Sequence, residues 1–217
     1  MSKVVNFSMA NRSKVARFLP ARDLSADESR RLGAMREAAR ARQDDLDAQE
    51  VDWGLSVQDA LEQLIAGRAD SRADYAGSAY YAALQIVIDH NASDPSTLGS
   101  YRSPSTLFSA LDDALSAAGV PADLLPHQYI YSGPPSEIGF YIPHPLDGSP
   151  EIGCWPLATA GPAVDAYRAV VDRIDTDLRY DLEELIKVLD DWSSEWVEGR
   201  GAWWWAEDGS IFFSITG

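Results

Sequence analysis

Five residues with chemistry-bearing side chains, Tyr141, His144, Asp147, Glu151 and Cys154, fall within fourteen residues of a proline-rich stretch. A thiol with an imidazole and a carboxylate in reach is the make-up of a nucleophilic set. The base draws the thiol toward thiolate, and the acid orients the base. Against this, side chains so close in sequence seldom converge on an irregular loop, and Cys154 beside Trp155 reads as a small buried hydrophobe. The second reading is adopted, and no catalytic residue is assigned. His90 ends a helical stretch, where its cationic form suits the helix dipole. His127, after Pro126 and before an expected strand, reads as a surface or hydrogen-bonding residue. The pairs Asp112-Asp113, Glu183-Glu184 and Asp190-Asp191 are neighbours on expected helices. Adjacent helical positions diverge by about 100°, so these are solvated faces and not acid/base dyads. Asp70, Arg72 and Asp74 precede an apolar helix, where they cap it, pair with one another or line a polar pocket.

Recognisable catalytic motifs are absent. There is no Walker A loop, no Gly-x-Gly-x-x-Gly after a strand, no nucleophile elbow, no His-Glu-x-x-His and no zinc spacing. Their absence argues against nucleotide hydrolysis, Rossmann cofactors, serine hydrolysis and zinc peptidase chemistry. No cofactor and no metal is expected.

What must position these residues is a chain of 217, with 46% hydrophobic and 24% charged residues, which is enough to bury a sizeable core. No apolar run reaches the roughly 18–20 residues of a membrane span. The first residues lack the apolar stretch of a signal peptide. A lone cysteine excludes an internal disulfide and fits a reducing compartment, so a cytoplasmic protein is expected. The net charge of −16 is uneven. Residues 1–50 carry ten Lys/Arg against eight Asp/Glu, and residues 51–217 carry eight against twenty-six. An acidic body of this kind repels nucleic acid and anionic membranes. It serves solubility, and it suits a basic protein partner; a homo-oligomer also stays open.

The pattern predicts an α+β fold, with a helical N-terminal half packed on a small, mostly antiparallel sheet closed by a C-terminal β-hairpin. Residues 1–50 read as a mildly basic strand and helical arm, and residues 51–217 as the acidic α+β body, together one compact domain. Lys3–Ser8 reads as a strand and Asn11–Leu19 as a short helix stopped at Pro20. Ser25-Ala-Asp-Glu28 is a capping box that opens a helix to about Gln49, with Leu32, Met35, Ala39 and Leu46 as a thin apolar stripe. Ser56 starts a helix through Ala66, ended by Gly67. Asp74–Asp89 is apolar nearly all round and reads as a central buried helix. Asn91–Tyr101 reads as a polar loop, and Ser103-Pro104 as the start of a helix ended by Gly119. Pro121–Leu125 reads as one helical turn. Tyr129–Ser132 and Ile138–Ile142 read as strands joined by a Gly-Pro-Pro turn, Ile152–Leu157 as a third strand, and Gly161–Ile174 and Asp177–Glu198 as helices. The last seventeen residues read as a hairpin with Trp203 and Trp205 on one face and Trp204 on the other.

Seven tryptophans are many for this length. Most read as core, but Trp53, Asp74, Tyr81, His144 and Trp155 are singled out as the lining of an aromatic cleft between the helical half and the sheet. Trp204 is singled out as an exposed contact. Two functions follow. The first is a non-enzymatic acidic binding protein that engages a basic protein, in an immunity or antitoxin-type role. The alternative is a small-molecule-binding protein or enzyme using that aromatic cleft.

Four segments carry a resemblance: Gln49–Leu61, Ser71–Ile86, Tyr131–Ile138 and Ile211–Gly217. Over nearly its whole length the chain resembles a family of hypothetical streptomycete proteins without an assigned activity. That resemblance implies an actinobacterial origin and a cytosolic setting, and transfers no catalytic residue. A shorter likeness to the YfbM-like hypothetical family rests on Trp53 followed by Leu61-x-x-Leu-Ile-Ala-Gly67, and implies a single α+β domain.

Overall fold

A computed structural model describes residues 2–146, 148–198 and 208–217, without the side chains of 195–198. Four antiparallel strands form one sheet, β1 (Lys3–Asn11), β2 (Ser96–Tyr101), β3 (Glu151–Pro156) and β4 (Gly209–Thr216), in the order β2-β1-β4-β3. The register sets Phe212 between Ser8 and Cys154, and Ile211 between Met9 and Trp155. Because side chains alternate along a strand, the sheet feeds two cores. Ala10, Ile152, Cys154 and Phe212 enter the first, and Val5, Met9, Trp155, Ile211, Phe213 and Ile215 the second.

The first core is covered by α1 (Arg12–Ala16), α2 (Ala26–Ala48), α3 (Val57–Ile65) and α4 (Ala76–Asp89). Ser25 caps α2 reciprocally: its hydroxyl accepts the Glu28 N–H at 3.2 Å and its own N–H donates to the Glu28 carboxylate at 2.7 Å. Leu32, Met35, Ala39 and Leu46 are the buried residues of α2, so its stripe lies where its spacing puts it. Ser56 caps α3 by accepting the Asp59 N–H, and Gly67, at φ +77°, provides the left-handed turn that ends it. In α4 twelve of fourteen residues are buried, which makes it the central helix of this layer.

The second core is covered by α5 (Pro104–Ala117), α6 (His127–Ile130), α7 (Leu157–Arg168) and α8 (Thr176–Glu198), with 3-10 turns at Ala122–Leu124 and Val171–Arg173. The α+β reading therefore holds, with the helical first half on one face and a second helical layer on the other.

Several local expectations change. Residues 96–101 are the outer strand β2 and not a polar loop, since β1 holds them in register from Lys3 opposite Tyr101 to Phe7 opposite Ser96. Tyr129–Ser132 is not a strand. Pro126 has helical dihedrals, Asp112 accepts the His127 N–H at 3.0 Å, and the chain turns into α6, which stacks Tyr129 on Trp155. Ile138–Ile142 is not a strand either: Ile138 and Ile142 are buried in the first core, outside any ladder. Helix α7 starts at Leu157 and carries Pro162 inside it. β4, like β1, is an inner strand, bonded to β1 on one edge and β3 on the other. The first arm expected for its hairpin, with Trp203, Trp204 and Trp205, lies outside the described residues.

Candidate functional site

Residues 132–146 and 148–150 form a strap that passes from one face of the sheet to the other around the edge of β3. Ser132 Oγ accepts the Cys154 N–H at 2.8 Å, and the Gly133 N–H donates to the Ile152 carbonyl at 3.0 Å. These two bonds cover an edge that would otherwise offer unpaired backbone groups. The strap then runs over α4. At Gly77 a Cβ would lie 2.2 Å from the His144 carbonyl oxygen, so only glycine lets the strap rest on the helix there.

His144 is held by Tyr81, whose Oη lies 2.7 Å from His144 Nδ1, with the rings 5.4 Å apart. Tyr81 is fully buried, and burial first, then the charges of Glu151 and Tyr141, push its phenol well above the ordinary tyrosine range. The phenol is therefore protonated at neutral pH, and its O–H is placed to donate to His144 Nδ1. Gly133, at φ +75°, lies against the pair; a Cβ there would stand 3.2 Å from His144 Cε1.

Close to this anchor along the chain, three large hydrophobic side chains are exposed. Tyr141 and Leu146, three residues before and two after His144, are 75% and 70% exposed, and Tyr75, two residues before Gly77, is 48% exposed. Exposed Asp74 adjoins Tyr75. Among the described residues the other large exposed hydrophobic side chain is Tyr180, on α8.

The residues assigned to an aromatic cleft are not gathered in one place. Asp74, Tyr81 and His144 lie at or near the strap where it crosses α4. Trp53 lines a separate hollow of about 410 Å3 at the turn between α2 and α3, with Gln43, Leu46 and Asp52. Trp155 is fully buried in the second core, on the opposite face of the sheet, stacked on Tyr129 with ring centroids 4.5 Å apart. Strand alternation is the reason: its neighbour Cys154 takes the first face, so Trp155 must take the second. Trp204 and Asp147 fall outside the described residues, Trp192 packs half-buried against the second core, and the Trp196 side chain is not described.

Cys154 faces Arg12 and Ser210. Burial pushes its thiol up to about 11, against smaller opposing effects of Ser210 and Arg12. Arg12 in turn is bound to Glu137 at 2.6 Å and Ser210 at 3.0 Å. A thiol so protonated is a poor nucleophile at neutral pH. Among the described residues no group of three or more His, Cys, Asp or Glu could hold a metal ion, and no helix is long and apolar enough to cross a membrane.

Residues 1–214 match the model of a family described as a domain of unknown function, DUF7691. The chain belongs to this family. No curated protein and no solved structure matches it. Within this member, Leu146 is the surface residue that sequence reasoning missed. The available signal was a large apolar side chain between prolines, with no strand or helix period to bury it.

Proposed function

We propose that this chain is an acidic binding protein, and that the strap over α4 is the surface it offers to a basic protein partner. The observation that carries this reading is the exposure of Tyr75, Tyr141 and Leu146 around one anchored point. Tyrosine contributes large contact area at small entropic cost, and such side chains dominate interface energies when they enter a partner's pockets. The anchor matters equally. A strap fixed by the Tyr81–His144 bond and by the close approach at Gly77 is already ordered before binding, which lowers the cost of association. The charge of −16 supplies the long-range attraction that selects and steers a basic partner.

An immunity or antitoxin-type role against a basic effector fits this chemistry. A cytoplasmic, actinobacterial setting goes with it, and the lone cysteine favours a reducing compartment. The test is to immobilise the full chain and the Tyr141→Ala/Leu146→Ser double variant and to expose both to lysate of the producing cells at low salt. The native chain is expected to retain one stoichiometric basic protein that the variant does not. Retention of no such protein, or equal retention by both, contradicts the proposal.

A further inference from the structure

A hollow of about 210 Å3 opens where α5 begins, beside Tyr131 and Ile215 of the second core. Its walls include Lys3, Arg102, Ser105, Tyr131 and Glu151. Lys3 Nζ donates to the Gly148 carbonyl at 2.8 Å, which ties the start of β1 to the end of the strap and fixes a positive charge on the wall. Among the described residues the Arg102 guanidinium has no hydrogen bond or ion pair, and neither the Ser105 nor the Tyr131 hydroxyl has a hydrogen-bond partner. Tyr131 is half-buried, stacked on His127 with ring centroids 4.6 Å apart, so its ring is held in place beside the hollow. The Ser103 hydroxyl pairs with Thr106 Oγ1 at 2.8 Å and does not cap the first turn of α5.

We infer that this hollow is a binding site for a small oxyanion, a phosphate or carboxylate group, that carries its own hydrogen-bond donor. The Arg102 fork suits two oxygens of such a group, and the Ser105 and Tyr131 hydroxyls and the Lys3 ammonium add donors. The Glu151 carboxylate on the same wall disfavours a bare anion and selects a hydroxyl or ammonium next to the oxyanion. Among the described lining residues, two cations against one carboxylate give this hollow a positive balance in a chain whose net charge is −16. It is Arg102 and Tyr131, without polar partners among the described residues, on the walls of one open hollow that make the site, and the helix end only adds to them. Gly148 at the end of the strap lines the hollow, but Tyr75, Tyr141 and Leu146 of the partner surface do not.

Calorimetric titration of the full chain with inorganic phosphate, glycolate and phosphoethanolamine tests it. Saturable one-site binding is expected, tighter for phosphoethanolamine than for inorganic phosphate. Losing a charge-assisted, two-pronged contact in Arg102→Ala is expected to weaken binding about tenfold or more. Arg102 is exposed, so that variant is expected to keep the native circular dichroism; Tyr131→Phe, with its ring retained, is the second probe and is expected to weaken binding as well. Partner capture should be unchanged in Arg102→Ala. The inference is overturned if no probe saturates, if Arg102→Ala and Tyr131→Phe both bind like the native chain, or if inorganic phosphate binds as tightly as phosphoethanolamine.

Discussion

Gly77 has no side chain because the His144 carbonyl oxygen occupies the place where one would begin. Replacing it with alanine forces the strap or α4 to move. Overpacking of this sort costs about 1–3 kcal/mol. Denaturant unfolding of Gly77→Ala is expected to show that loss. Gly33 is the contrasting case: it lies inside α2 with nothing within 4 Å of a built Cβ, so Gly33→Ala is expected to stabilise by about 1 kcal/mol in the same measurement. Cys154 makes a different prediction. Its thiol titrates near 11 when folded against a reference value of 9.0, chiefly through burial. A folded value above the unfolded one means that its contribution to stability is complete below pH 9 and is lost as pH rises toward 11. At neutral pH a disulfide reagent should react slowly with the native chain and at once with the unfolded one. Fast native reaction would sink the assignment of a buried, protonated thiol. The failure of the Cys–His–acid reading has the same origin: Cys154 is turned toward Arg12 and Ser210, while His144 is bound to Tyr81.

Among the elements, the helices were legible where their signals are local. Ser25 and Glu28 mark the start of α2 within four residues, and its buried stripe follows from helical period alone. Ser25→Ala removes one half of that cap and is expected to cost about 1 kcal/mol in thermal or denaturant unfolding, with the fold retained. The same holds for α3 and α5, whose cap or glycine stop stands in the sequence, while α4 is legible from its nearly unbroken run of small and apolar residues. Strand β2 was not legible. As an outer strand it is mostly exposed and shows little alternation, so Ser96–Tyr101 has the composition of a loop. Residues 129–142 misled in the opposite sense. Their apolar spacing comes from docking on both cores, Ile130 on one and Ile138 and Ile142 on the other, and not from a ladder. Only the tertiary path around β3 gives that spacing its meaning.

At the scale of the whole molecule, a sheet between two helical layers places the strap on the α4 side and the oxyanion hollow beside Tyr131 and Ile215 of the second core. The sequence showed the acidic balance and the aromatic excess, but not which aromatics would stay outside. Trp155 was expected at a cleft and is core; Tyr141 was named for chemistry and is surface. Burial is decided by register and by the strap's path, and neither can be read from composition. Function on this reading depends on the exposed strap residues holding a basic partner. The most direct measurement is the dissociation constant of the captured partner with the native chain and with the Tyr141→Ala/Leu146→Ser variant, at low and at physiological salt. The expected result is affinity that falls with salt, as screening of opposite charges requires, and about tenfold or greater weakening in the variant, as loss of central aromatic contacts implies. Equal affinity for both chains, or affinity indifferent to salt, would contradict it.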